Sequence, residues 1–218
     1  SEVPETDWVA HVRRELTPVE AGRFFVVGAH DADKVPDDRI ALRIEAAMAF
    51  GTGHHGTTLG CLRALDRLID NGTRASSVAD IGCGTAVLAM AAARVWPESV
   101  LASDIDAVAV EVAQVNVAAN NLSDRVRCVE AAGFAHPTLA GEGQFDLVFA
   151  NILKGPLFDL APDMSRAVRA GGYAILSGIL NEQADSITAR YREFGFNVVH
   201  REVIVDWTTL TLTRLDAV

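Results

Sequence analysis

Apolar side chains recur with helical spacing in some stretches of this chain and form short uninterrupted runs in others. A first helix is predicted from apolar residues three or four positions apart, namely Leu59, Leu62, Leu65 and Ile69. Short apolar runs predict strands at Ser77–Ile81, Val100–Asp104, Arg127–Glu130, Phe145–Ala150 and Tyr173–Ser177. Further helices are predicted at Ala86–Val95, Ala107–Ala119, Leu157–Arg169 and Glu182–Phe194. Strands that alternate with helices in this way are typical of an α/β fold with a parallel sheet.

The last two apolar stretches, Asn197–Val205 and Thr208–Thr213, are separated by only two residues. A parallel crossover needs about a dozen residues or more, so these two stretches should pair antiparallel. Five parallel strands followed by such a hairpin resemble the seven-stranded, Rossmann-like sheet of class I S-adenosylmethionine-dependent methyltransferases. Dehydrogenase domains that bind dinucleotides usually lack that hairpin.

Residues 1–46 precede the regular pattern, and we interpret them as an N-terminal extension. Apolar residues spaced by four predict a linker helix over residues 8–20. Strands are predicted at Phe24–Val27 and Leu42–Ala46, on either side of a polar turn segment. We therefore expect the catalytic domain of the methyltransferase-like fold to span residues 47–218.

Composition and charge narrow the class of protein. Half of the 218 residues are hydrophobic, which suffices for one well-buried domain, and no apolar run approaches the roughly 20 residues that cross a bilayer. The first seven residues are polar and acidic, unlike a secretory signal, so we expect a cytoplasmic protein with no membrane partner. The formal charge of −10 disfavours a nucleic-acid partner, since such binding depends on Lys and Arg.

The cysteines and the adjacent histidines give no sign of a disulfide framework or a metal site. Cys61, Cys83 and Cys128 are 22 and 45 residues apart, which fits neither paired disulfides nor the CxxC spacing of zinc sites. His54 and His55 are neighbours, and adjacent residues rarely converge on one ion. We therefore expect the cysteines to be reduced and no metal to be bound. We expect the two histidines to lie in a polar loop that closes over a bound cofactor.

A glycine-rich turn at Asp80–Ala86 connects a predicted strand to a predicted helix. Gly82 and Gly84 permit a sharp turn and a close approach of a ligand to the backbone. Such a turn binds a nucleoside at the carboxyl end of a parallel sheet. A dinucleotide fingerprint would have a small residue at Val87, whereas a methyltransferase loop usually has glycine at Ala86. The loop alone leaves both cofactors open, together with a purely structural turn.

Asp104 ends the next predicted strand, 20 residues after Gly84. This separation is expected for a carboxylate that accepts hydrogen bonds from ribose hydroxyls, with a solvated strand end as the alternative. Asp106 directly precedes the helix that starts at Ala107, and aspartate is a favoured N-cap, so its role should be structural. Asp104 therefore favours a cofactor that contains a nucleoside.

Asn151 follows the fourth predicted strand, where amino-methylating enzymes of this fold have Asn or Asp near the transferred methyl group. Enzymes that methylate base amino groups usually continue with Pro-Pro-aromatic, which helps to hold an extruded base. Here Ile152, Leu153 and Lys154 provide no aromatic ring, so a base substrate is disfavoured. The alternative for Asn151 is a structural turn, in which asparagine is common.

The segment Ala47–Thr58 reads AMAFGTGHHGTT, and with it the chain resembles the PrmA family of ribosomal-protein methyltransferases. That family joins an AFGTG segment with following His and TT to an IGCG loop, an acidic strand end, an Asn-Ile-Leu segment and a late Leu-Ser-Gly-Ile-Leu. All five motifs occur here in that order, and the resemblance extends from Trp8 to Arg214. Five ordered motifs are far more specific than any glycine pattern alone.

The resemblance implies transfer of methyl groups from S-adenosylmethionine to lysine and N-terminal amines of the eleventh protein of the large ribosomal subunit, leaving S-adenosylhomocysteine. It also implies a set of cofactor-binding residues, which are Phe50, Thr58, Gly82, Gly84, Asp104 and Asn151. Asn151 is in addition the predicted catalytic residue, because its polar side chain could orient an uncharged amine.

Family members carry a small N-terminal recognition domain, whereas this chain begins near the linker helix that should follow it. We expect either a fragment that keeps the catalytic core or a stand-alone relative that methylates a different protein.

Two other classes of protein stay open. An NAD-dependent oxidoreductase is disfavoured by Val87 and by the terminal hairpin, and the second class is a non-catalytic nucleoside-binding module.

Overall fold

A computed structural model of the chain describes residues 17–45 and 55–216, which form ten strands and seven α-helices. The strands are β1 (Val19–Ala21), β2 (Phe24–Gly28), β3 (Ile40–Ile44), β4 (Val78–Ile81), β5 (Val100–Asp104), β6 (Val126–Glu130), β7 (Phe145–Asn151), β8 (Val168–Leu180), β9 (Phe196–Ile204) and β10 (Trp207–Arg214). The helices are α1 (His55–Asp70), α2 (Val87–Val95), α3 (Ala107–Ala119), α4 (Pro137–Gly141), α5 (Lys154–Asp159), α6 (Ala161–Ala167) and α7 (Ala184–Glu193). Two short 3-10 helices lie at Ala29–Lys34 and Asn181–Gln183. None of the helices in these described ranges is long and apolar enough to cross a membrane.

The main sheet has seven strands in the order β6-β5-β4-β7-β8-β10-β9. Strands β4 to β8 are parallel to their neighbours among themselves, whereas β10 pairs antiparallel with both β8 and β9. The predicted five parallel strands and terminal antiparallel hairpin are thus confirmed. The chain proceeds outward from β4 to β6 and then returns to the other side of β4 as β7. In open α/β sheets ligands bind beyond the carboxyl ends of the strands at such a switch point, here between β4 and β7.

Apolar side chains cover both faces of the main sheet. One core cluster joins α1, α2 and the first three strands to residues such as Leu147 and Phe149 on the sheet. A second cluster joins α5, α6 and α7 to the opposite face, where Val148 and Leu176 lie. Helix α2 has four alanines among its nine residues and is buried from Val87 through Ala93, so these small side chains allow a close approach to the sheet. The sheet is therefore rigidly supported behind its carboxyl edge.

Strands β1, β2 and β3 form a separate small sheet, in which β1 and β2 pair antiparallel across Gly22 and β2 and β3 pair parallel. The predicted helix over residues 8–20 is wrong at its end, because Val19–Ala21 is a strand that pairs with β2. Residues 8–16 lie outside the described part of the chain. The predicted boundary between residues 46 and 47 lies there too and stays a prediction.

Further predicted elements differ from the structure at their ends, most of all the strand predicted at Tyr173–Ser177, which spans Val168–Leu180 as β8. The strand predicted at Leu42–Ala46 instead spans Ile40–Ile44, because Ile40 and Ala41 are hydrogen-bonded in register with β2. Ala46 lies outside the described residues. This strand begins earlier than predicted because pairing with β2, and not the local apolar run, decides where it starts.

The helix predicted at Leu157–Arg169 is divided into α5 and α6 and ends before Arg169, which lies in β8. Pro162 stands in the first turn of α6 and has no N–H to donate to the carbonyl of Phe158. That carbonyl instead accepts a bond from Arg190 Nε at 3.4 Å. The apolar spacing continues across the break, which is why it suggested one helix.

Candidate functional site

The loop between β4 and α2 has a positive φ at every second residue, +69° at Gly82, +52° at Gly84 and +63° at Ala86. The Cys83 N–H donates to the carbonyl of Ser103 at 2.8 Å, and the Ala86 N–H donates to the carbonyl of Cys83 at 2.8 Å. Ala86 thus adopts the left-handed conformation that glycine would favour, with its methyl group fully buried. The residue that stands where such a loop usually has its third glycine therefore has the backbone conformation that glycine favours.

The two glycines of this loop serve different purposes. A Cβ at Gly82 would lie 2.3 Å from Cγ2 of Ile152, so the missing side chain lets the ends of β4 and β7 approach each other. A Cβ at Gly84 would meet nothing within 4 Å, so only its positive φ favours glycine there. The side of the loop at Gly84 is therefore open to a ligand.

Asp104, at the end of β5, is directly linked to the glycine loop. Its Oδ2 accepts a hydrogen bond from the Gly84 N–H at 3.0 Å, and its Oδ1 accepts one from the Asp106 N–H at 3.0 Å. Asp106 in turn accepts a bond from the Val108 N–H at 2.9 Å, which confirms its predicted role as the N-cap of α3. The Asp104 carboxylate is thus oriented by two backbone donors, one of them in the loop.

Asp80 lies inside β4 and is almost completely buried. Its Oδ2 accepts a hydrogen bond from the Ala89 N–H in the first turn of α2 at 3.1 Å. Burial raises the pKa of Asp80 to about 7, an effect that the Ala89 hydrogen bond opposes and the nearby Asp104 charge increases. This carboxyl group fixes the start of α2 behind the loop.

A cavity of about 390 Å³ lies at the switch point of the sheet, within the range typical of small-molecule sites. Gly82 and Asp104 line it on one side and Ile152 on the other. Its remaining wall is largely apolar and includes Ile105, Ala131, Ala132, Leu153, Pro156 and Leu160. One carboxylate at the edge of an apolar slot suits a flat heterocycle that carries a polyhydroxylated sugar.

Asn151, at the end of β7, is brought next to the first turn of α1. Its Nδ2 donates to Oγ1 of Thr57 at 3.3 Å, a contact between residues 94 positions apart in the chain. Within residues 17–45 and 55–216, no donor reaches Asn151 Oδ1, so this oxygen can accept from a bound amine. The absence of a side chain at Gly178 allows a close approach to the segment after Asn151, since a Cβ there would lie 2.4 Å from the carbonyl oxygen of Ile152.

The thiols near the site are unsuited to nucleophilic catalysis. Burial is the first cause that raises the pKa of Cys61 and of Cys83, and it raises that of Cys128 to about 11. Across the described ranges, His, Cys, Asp and Glu residues form no cluster that could hold a metal ion.

The structure brings most of the predicted site residues to one edge of the sheet. Gly82, Gly84, Asp104 and Asn151 lie at the carboxyl ends of β4, β5 and β7. Thr58 is buried in the first turn of α1, but the hydroxyl that contacts Asn151 belongs to its neighbour. Phe50 lies outside the described residues.

The hydrogen bond between Thr57 and Asn151 could not be predicted from the spacing of residues along the sequence. The only available signal was the position of two threonines at a helix start, and the sequence did not indicate which one faces β7. The helix geometry decides this, because consecutive residues on a helix point about 100° apart.

A doubly wound sheet with a terminal hairpin and a glycine loop facing an acidic strand end defines a class I methyltransferase. A solved methyltransferase from Pyrococcus furiosus shares this fold, with a TM-score of 0.54 and 22% identity over 68% of this chain and 81% of that one. The sequence model of the family "Ribosomal protein L11 methyltransferase (PrmA)" matches residues 1–215, and the chain belongs to this family. Family and fold make it a protein methyltransferase and imply S-adenosylmethionine as its methyl donor.

Individual relatives agree with this assignment. The chain is 44% identical over 215 residues to a ribosomal protein L11 methyltransferase of Brucella abortus (strain S19), covering 97% of this chain and 74% of the relative. It is 47% identical to that of Bradyrhizobium diazoefficiens, covering 98% and 72%. A crystal structure of ribosomal protein L11 methylase from Lactobacillus delbrueckii subsp. bulgaricus superimposes with a TM-score of 0.80 and 28% identity, covering 91% of this chain and 99% of that one.

Proposed function

We propose that the protein transfers methyl groups from S-adenosylmethionine to primary amines of ribosomal protein L11, namely lysine side chains and the N-terminal amine. The observation that carries this proposal is the cavity that extends from Asp104 to Ile152 at the switch point of the sheet. Its position beside Asn151 would bring a bound donor and an amine acceptor together.

The residues around the cavity fit the methyl donor part by part. The apolar wall that includes Ile105 and Leu153 suits the adenine ring, and the Asp104 carboxylate suits the ribose hydroxyls. The open side of Gly84 allows the rest of the donor to approach the loop. Thr58, in the first turn of α1, and Phe50 are further proposed contacts.

Asn151 is proposed to position the amine. The sulfonium of the bound donor supplies an electrophilic methyl carbon, so no covalent enzyme intermediate is needed. A lysine amine has a pKa near 10.4 and must lose a proton before it can attack. Asn151 Oδ1 would accept a hydrogen bond from the neutral amine and hold its lone pair towards the methyl group, while Thr57 fixes the amide through Nδ2.

The choice of ribosomal protein L11 rests on the names of the relatives, and the charge of this chain is compatible with it. A net charge of −10 favours a cationic protein over a polyphosphate. The chain spans about three quarters of the Brucella relative, so recognition by further segments of a longer protein is compatible with the proposal. A cytoplasmic location belongs to the same proposal.

Methyl transfer from radiolabelled S-adenosylmethionine to purified ribosomal protein L11 tests the substrate directly. The chain should be assayed alone and with the N-terminal domain of a relative attached, and label should appear on L11 in at least one arm. Label in neither arm would contradict L11 as the substrate. Binding of NADH in preference to S-adenosylhomocysteine would contradict the methyl-donor site itself.

A further inference from the structure

Two buried asparagines lie one helical turn apart where α3 ends, Asn116 within the helix and Asn120 just after it. Their exposed fractions are 0% and 2%. Buried amides must be hydrogen-bonded, since an unpaired polar group in the interior is costly. Both side chains satisfy this demand, but with different partners.

Asn116 joins two segments that are far apart in the sequence. Its Oδ1 accepts a hydrogen bond from the Glu45 N–H at 2.8 Å, directly after β3. Its Nδ2 donates to the carbonyl of Thr85 at 3.1 Å, inside the glycine loop between Gly84 and Ala86. One amide therefore ties the loop to the end of the small sheet.

The Asn120 side chain makes no hydrogen bond to the glycine loop among the residues that the structure describes. Its Oδ1 accepts from the Arg43 N–H at 2.9 Å, and its Nδ2 donates to the Arg43 carbonyl at 2.8 Å. The same Nδ2 also lies 2.7 Å from the Asn116 carbonyl and 3.3 Å from Sδ of Met90. Asn120 thus pairs with β3 much as a neighbouring strand would.

We propose that Asn116 is a positioning residue for the methyl donor, and this inference rests on the proposed function. The peptide between Thr85 and Ala86 is held at both ends of its dipole, because the Thr85 carbonyl accepts from Asn116 and the Ala86 N–H donates to Cys83. Loss of the Asn116 amide frees this peptide to rotate in a loop that already has left-handed residues on both sides. Gly84, which directly precedes Thr85, would then be held less firmly, although its N–H still donates to Asp104.

Alanine substitutions of the two asparagines separate positioning from general stability. Asn120→Ala removes more hydrogen bonds, so it should lower the melting temperature at least as much as Asn116→Ala. Asn116→Ala should weaken binding of S-adenosylhomocysteine about tenfold or more, whereas Asn120→Ala should stay within about threefold of the wild type. Equal loss of affinity in both variants, or none in Asn116→Ala, would overturn the inference.

Asn116→Asp adds a signature that a purely structural role would not produce. The new carboxyl keeps an acceptor for the Glu45 N–H, and only its protonated form can donate to the Thr85 carbonyl. Its affinity for S-adenosylhomocysteine relative to the wild type should therefore improve as the pH is lowered. A ratio that does not change with pH would count against the proposed bond.

Hydrogen exchange tests the inference without ligand. In Asn116→Ala the amides of Gly84 and Ala86 should exchange faster than in the wild type, while in Asn120→Ala they should not. If Asn116→Ala does not fold, hydrogen exchange of the wild-type protein with and without ligand tests the inference instead. Addition of S-adenosylhomocysteine should then slow exchange at Glu45, held by Asn116, more than at Arg43, held by Asn120. Equal slowing at both amides contradicts the inference, and absence of any ligand effect contradicts the proposed function.

Discussion

The Gly84 N–H donates a hydrogen bond to Oδ2 of Asp104 at 3.0 Å, so the acid proposed to bind ribose also fixes the glycine loop. The other oxygen, Oδ1, accepts from the Asp106 N–H. A carboxylate offers about four lone-pair positions, which leaves acceptor capacity for ribose hydroxyls. Loop geometry and cofactor binding are therefore expected to respond together to changes at Asp104.

Asp104→Ala is expected to weaken binding of S-adenosylhomocysteine about a hundredfold. The substitution removes the acceptor for the ribose hydroxyls and leaves the Gly84 N–H without its partner, and hydrogen bonds to charged groups contribute roughly 1.5–3 kcal/mol each. Isothermal titration calorimetry gives the affinity directly. Unchanged affinity in a folded variant would rule out the ribose role.

Asp106→Ala is the matched control for this change. It removes the N-cap bond to the Val108 N–H and should lower the free energy of unfolding by about 1 kcal/mol. Its affinity for S-adenosylhomocysteine should stay close to that of the wild type. If both aspartate variants lose affinity equally, the effect at Asp104 comes from general disruption of this strand end.

Asn151→Ala is expected to lower kcat for methylation of ribosomal protein L11 about a hundredfold, because the amine loses the group that orients it. Loss of a single well-placed hydrogen-bonding group in an active site commonly costs a factor of about 100–1,000. The Kd of S-adenosylhomocysteine should change far less. Steady-state kinetics and calorimetry on the same preparation separate the two effects.

Thr57→Val keeps the shape of the side chain but removes the oxygen that accepts from Asn151 Nδ2. A reduction in kcat of about tenfold is expected, since the amide loses one of the contacts that orient it. Activity equal to the wild type in both the Thr57 and the Asn151 variants would show that Asn151 does not position the amine.

The sequence predicted features that depend on local pattern. The ends of β5 and α3 and the N-cap at Asp106 were predicted correctly, because apolar runs and cap residues act within a few positions. The antiparallel hairpin of β9 and β10 followed from a turn too short for any other connection. Asp104 was singled out by its distance from Gly84, and the structure adds the hydrogen bond between them.

Features that depend on distant partners could not be predicted. The Thr57 contact with Asn151 and the Asn116 contact with Thr85 join residues 94 and 31 positions apart. The strand Val19–Ala21 was missed because its partner strand, and not its own composition, determines its conformation. The left-handed conformation of Ala86 could not be predicted from its residue type, because the surrounding loop imposes it.

Gly178→Ala is expected to impair both stability and activity. Gly178 has a φ of +82°, and its Cβ would lie 2.4 Å from the carbonyl oxygen and 2.9 Å from the nitrogen of Ile152. Backbone atoms cannot give way as a flexible side chain could, so the segment after β7 must move and displace Asn151. Urea unfolding and the methylation assay measure the two consequences.

Gly72→Ala provides the control, since Gly72 has the same φ of +82° and a Cβ there would meet nothing within 4 Å. It should cost about 1–2 kcal/mol of unfolding free energy for the left-handed conformation alone and leave kcat unchanged. Gly178→Ala should cost more and lower kcat. Equal effects in the two variants would mean that the close approach to Ile152 is unimportant.

The buried carboxyl of Asp80 should make the stability of the fold depend on pH. Burial raises its pKa from 3.8 to about 7, so between these values the unfolded chain loses a proton that the folded protein retains. The contribution of this group is therefore fully present below pH 3.8 and is lost as the pH rises to about 7.

Asp80→Asn should abolish that dependence. An asparagine oxygen can still accept from the Ala89 N–H but carries no charge, so the variant should become more stable than the wild type as the pH rises. The advantage at pH 8 should be up to roughly 4 kcal/mol, at 1.36 kcal/mol for each unit of pKa difference. Urea unfolding of both proteins between pH 5 and pH 8 measures it, and parallel stability profiles would show that Asp80 does not titrate in this range.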